Sequence, residues 1–87
     1  MIIKRLQLIY EDNDGSTFGR FYHSWKEIHM FLFEHGLYKE FQVTDSDGDQ
    51  LLHYKNKGSG KFELKYSEKV PGSVLFEIVN KHASAKL

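Results

Sequence analysis

The sequence predicts a single α+β domain, an antiparallel sheet of about five strands with helix packed on one face. Three observations carry the prediction. Apolar residues alternate with polar ones in several short runs, as half-buried strands require. Aspartate–glycine and glycine–serine–glycine clusters separate those runs at hairpin spacing. One segment between the second and third runs changes to a helical period and carries a start signal and a stop signal. The expected order is β-β-α-β-β-β followed by a C-terminal helix, all within residues 1–87.

The first strand is expected from Ile2 to Tyr10, where Leu6, Leu8 and Tyr10 share one face. Asp12-Asn13-Asp14-Gly15-Ser16 then turns the chain, and Thr17–Tyr22 returns as a strand rich in aromatics. Ser24 with Glu27 three residues on forms a capping box, and Gly36 supplies a helix stop. Between them Trp25, Ile28, Phe31 and Leu32 make one stripe, which should face the sheet. Phe41 and Val43 mark the third strand. The Asp47-Gly48 turn leads to a fourth through Leu51, Leu52 and Tyr54, and Gly58-Ser59-Gly60 to a fifth through Phe62, Leu64 and Tyr66. The tail suits either a helix or a strand through Val74–Val79. Helix is favoured, with Ser73 as its cap, because Lys81 and Lys86 then lie near the negative C-terminal end. Asp-x-Asp-Gly occurs twice, at 12–15 and 45–48, and convergence on good turn residues explains the echo better than duplication does.

Composition removes several functional classes. The chain has no cysteine, which excludes disulfides, thiolate metal sites and thiol nucleophiles. Its apolar runs are far shorter than the ~20 residues of a membrane helix, and Met1–Arg5 opens without a signal-peptide core. A cytoplasmic domain is expected, and ten lysines against two arginines suit a low-GC bacterial or phage genome. Asp45-Ser46-Asp47-Gly48-Asp49 has glycine fourth where a calcium loop needs it sixth, so no metal is expected there. Gly58-Ser59-Gly60-Lys61 lacks the upstream glycine and the hydroxyl residue of a phosphate-binding loop. The five histidines, His23, His29, His35, His53 and His82, show no ligand spacing, and each is expected at the surface or at its boundary. Neither catalysis nor a cofactor is expected.

What remains is recognition. On the helix, Met30 and Phe33 lie roughly 100–200° from the core stripe, at 100° per residue; either the second strand or the C-terminal segment folds over them, or with Leu37 they form an apolar patch for another protein or a second copy. Asp45, Asp47 and Asp49 could present acidic groups to a basic partner. The expected function is a non-catalytic protein-binding or regulatory domain, and its narrowest form is an inhibitor of a host or defence nuclease. A nucleic-acid module using Lys55, Lys57 and Lys61 is the alternative, with a homodimeric structural protein third. Nucleic acid is disfavoured because net charge is zero, and because Lys61 and Lys65 point away from Phe62, Leu64 and Tyr66 on an alternating strand.

Overall fold

A computed structural model describes residues 5–12, 14–35 and 39–84. The elements follow in the order β1 (Leu6–Glu11), β2 (Thr17–Tyr22), α1 (Trp25–His35), β3 (Glu40–Thr44), β4 (Gln50–Gly58), β5 (Lys61–Tyr66) and α2 (Gly72–Ser84). The strands form one five-stranded sheet in the order β2-β1-β3-β4-β5, and every neighbouring pair is antiparallel. The expected α+β class and element order hold. Residues 2–4 of the expected first strand, the Gly36 stop, Leu37 and Lys86 lie outside the described residues.

Both aspartate turns are closed by the same set of bonds. The Asp12 carboxylate accepts from the N–H groups of Asp14 and Ser16 at 3.0 and 2.9 Å, and Asp45 accepts from Asp47 and Asp49, each at 2.9 Å. In each turn the glycine N–H donates to the first aspartate's carbonyl at 3.1 Å, and glycine sits at φ +85° or +87°. An aspartate that hydrogen-bonds its own backbone and a glycine free to adopt positive φ are what this turn demands, which accounts for the echo in the sequence.

The sheet has one covered face. Leu8 and Tyr10 of β1, Phe41 and Val43 of β3, and Leu52 and Tyr54 of β4 are buried there beneath Ile28, Phe31 and Leu32 of α1 and Val74 and Ile78 of α2. Trp25 packs half-buried against this core, so the predicted helical stripe is the one that faces the sheet. The Ser24 hydroxyl accepts from the Glu27 N–H at 3.4 Å, the capping contact expected from their spacing.

The C-terminal segment is the helix α2. It starts two residues earlier than expected, because the Pro71 carbonyl accepts from the Val74 and Leu75 N–H groups and places Ser73 inside the first turn. Pro71 suits that place, since a helix start needs no N–H from it. α1 and α2 run parallel. His29 meets Glu77 at 3.0 Å, and one turn further on Lys81 Nζ donates to the Phe33 carbonyl at 2.6 Å. That carbonyl belongs to the last turn of α1, where acceptors lack intrahelical donors and a cation offsets the dipole.

Candidate functional site

Three surfaces and one buried pair hold the chemistry of this fold. The first surface is the outer side of the helix layer. Met30 and Phe33 are 53% and 63% exposed, among the charged side chains of Lys26 and Glu34. The body of α2 does not cover them. Lys81 reaches across, with its ammonium 5.2 Å from the centre of the Phe33 ring. Phe76 and Val79 on α2 are likewise exposed. The sequence-predicted patch is therefore solvent-facing at Met30 and Phe33.

The acidic β3–β4 turn is the second surface. Its first carboxylate is committed, since Asp45 accepts two backbone N–H bonds of its own turn. Asp47 and Asp49 are exposed, and their carboxylates make no bond to the described residues. The turn is fastened to the start of β1 through Ser46, which accepts from the Arg5 N–H at 2.9 Å and donates to the Arg5 carbonyl at 3.2 Å. Behind it lies a cleft of about 310 Å³ between Trp25, Leu6, Leu51 and the turn, with Arg5 and Lys69 at its edge. Sequence reasoning missed this cleft, because residues far apart in the chain build it.

The third surface is the uncovered sheet face. Successive registers set Glu11, Glu40, Lys55 and Glu63 in one row across the strands, with charges alternating over the last three. His53 meets Glu40 at 2.6 Å, and the Gln50 amide donates to Gln42 at 2.6 Å. Lys55, Lys57 and Lys61 are exposed at one end of this face, as expected, yet they do not form a purely cationic patch. Lys57 lies 3.3 Å from Glu63, and this ammonium holds the Glu63 carboxyl below its ordinary range. Phe21, at the opposite edge, is 60% exposed with the Arg5 guanidinium 5.1 Å from its ring centre.

The buried pair corrects one expectation. His82 is 4% exposed and packs against the covered face of the sheet, where a surface or boundary histidine was expected. The inner stripe of α2, Val74 and Ile78, continues one turn on to position 82 and carries the imidazole into the core. Its Nε2 faces the Gly60 carbonyl at 3.2 Å, and its Nδ1 faces the Tyr54 hydroxyl at 2.8 Å. A carbonyl only accepts, so Nε2 carries the proton; Tyr54 donates to Nδ1 when the ring is neutral, since its hydroxyl can serve as donor or acceptor. Phe62 closes the site, 4.3 Å from the imidazole centre, and burial pushes the Tyr54 hydroxyl pKa up. The pair ties α2 to β4 and to the β4–β5 turn.

Among the described residues no three histidine, aspartate or glutamate side chains converge as metal ligands, and no helix is long and apolar enough to cross a membrane. No protein-family profile, curated protein or solved structure matches the chain.

Proposed function

We propose that this chain is a non-catalytic domain that works by docking on another protein through the outer side of α1. The observation that carries the reading is the joint exposure of Met30 and Phe33 on a helix whose opposite stripe already fills the core. Ile28, Phe31 and Leu32 account for burial on that helix, so two large apolar side chains on the solvent side are not needed by the fold. Apolar groups rimmed by Lys26, Glu34 and Lys81 match the usual anatomy of an interface, an apolar centre within a polar rim. The neighbouring α2 side chain Phe76, 72% exposed, extends the apolar content of the layer.

The test is a pair of baits, wild type and Phe33→Ser, used to capture partners from the source cell. The variant should unfold within about 1 kcal/mol of wild type, as expected for an exposed site. It should also lose a protein that wild type retains. Equal capture by both baits would refute the docking role of this face. Duplex DNA binding at ~0.15 M salt that disappears on replacing Lys55, Lys57 and Lys61 would put nucleic acid in its place.

A further inference from the structure

The two edges of the sheet are built differently. β5 carries Lys61, Glu63 and Lys65, and its pairing with β4 is interrupted by a register shift between Asn56 and Gly58. Charge and irregularity of this kind discourage a further strand from adding. β2 has neither a break in register nor a proline, and Arg20 is its single charge. It runs Thr-Phe-Gly-Arg-Phe-Tyr, exposed along its length until the half-buried Tyr22, with Phe18 on the helix side and Phe21 on the other.

The backbone at this edge can be followed residue by residue. Asp12 donates to the Ser16 carbonyl across the β1–β2 turn, which makes that a hydrogen-bonded pair. Hydrogen-bonded and non-bonded pairs alternate along an antiparallel ladder, so Phe18, Arg20 and Tyr22 direct their N–H and C=O groups toward β1. Thr17, Gly19 and Phe21 direct theirs outward, where the sheet ends. These are donors and acceptors that another strand would satisfy.

We infer that the outward edge of β2 pairs with β2 of a second copy of this chain, antiparallel and centred on Gly19, to make one continuous sheet through a two-fold dimer. Side-chain chemistry selects the copy and the register. A two-fold axis normal to the sheet requires paired residues to share a face, so the centre falls on a residue rather than between two. Centring on Arg20 sets two guanidiniums against each other, and like charges directly opposite destabilise a pair. The charge persists at any working pH, since hydrogen bonding to the Tyr10 hydroxyl, foremost among its surroundings, raises the Arg20 pKa further. Centring on Gly19 sets Arg20 opposite Phe18 of the second copy, twice by symmetry, a cation beside an aromatic face. It also sets Thr17 opposite Phe21 and the side-chain-free glycines against each other. Every outward N–H and C=O of Thr17, Gly19 and Phe21 then has a partner. The Gly19 position is open on its own chain, with nothing closer than the Gln7 amide at 4.0 Å from a Cβ placed there.

Sedimentation equilibrium of the full chain tests this, with Phe18→Lys and Phe18→Glu as the decisive variants. Both lose the same ring, which stacks on Tyr10, so they share any cost to the fold, and circular dichroism verifies that each is folded. Wild type should move from 10.2 kDa toward twice that mass as concentration rises from about 1 µM to several hundred. Phe18→Lys should weaken dimerisation at least tenfold relative to Phe18→Glu, because residue 18 faces Arg20 of the other copy. Adding Arg20→Glu to Phe18→Lys should restore it. A wild type that stays at 10.2 kDa throughout overturns the inference, and so does a dimer that responds equally to both charges. Either result leaves the docking role of Phe33 standing, because Phe33 is on neither β2 nor its edge.

Discussion

Replacing Tyr54 by phenylalanine removes one oxygen and leaves the ring in place. The ring stays stacked on Phe41 at 5.2 Å and near Phe62 at 5.8 Å, so little packing is lost. What goes is the hydrogen bond to His82, whose Nδ1 is then a buried acceptor without a donor. A typical hydrogen bond contributes about 1 kcal/mol net, and leaving a buried polar group unsatisfied costs about 1–3 kcal/mol. Tyr54→Phe should therefore destabilise by about 2 kcal/mol. In a domain of this size that is roughly a 10 °C fall in the midpoint. Urea unfolding followed by circular dichroism, with thermal melting beside it, measures both quantities. The m-value should not change, because the surface exposed on unfolding is the same. A loss under about 0.5 kcal/mol, within the range of ordinary surface changes, would refute the buried bond.

Alkaline titration examines the same tyrosine from its charge. Burial raises the Tyr54 pKa from 10.0, and burial, opposed by Arg20, raises that of Tyr22, so the folded protein keeps protons that the unfolded chain releases. The tyrosine contribution to stability should be level below pH 10.0 and be lost above it, with a shallower loss in Tyr54→Phe; a curve above pH 10.0 that neither Tyr54→Phe nor Tyr22→Phe alters would refute this linkage. The turns give a contrast between adjacent carboxylates. Asp45→Ala should cost about 1 kcal/mol by freeing two backbone N–H groups, while Asp47→Ala should stay within about 0.5 kcal/mol. Gly48→Ala meets no atom within 4 Å yet holds φ +87°, so strain alone should cost about 1–2 kcal/mol. Chemical denaturation of the three variants checks the order, and an Asp47 effect as large as that of Asp45 would overturn the turn assignment.

The sequence by itself determined the features whose causes lie within a few residues. Asp12 with Gly15, and Asp45 with Gly48, close their turns through bonds spanning no more than four residues. Ser24 meets Glu27 three residues on, and alternation along β3 and β5 assigns each side chain to a face before any strand has a neighbour. The stripe opposite Met30 and Phe33 placed them off the core-facing side of the helix, but periodicity left open whether another segment covers them, and their exposure is a tertiary result. Tertiary structure decided what depends on distant partners. Periodicity cannot say that β1 pairs with β3 as well as β2, and that placement is what leaves β2 and β5 as the two edges. Position 82 reads as an ordinary polar residue until Tyr54, 28 residues earlier, supplies the hydroxyl that lets its imidazole be buried. The cleft behind Ser46 depends on the pairing of β1 with β3, which brings Arg5 to Ser46, 41 residues on, and the start of β1 to the acidic turn. A local bond needs only the right residue at the right spacing, whereas a long-range one needs the whole sheet assembled first.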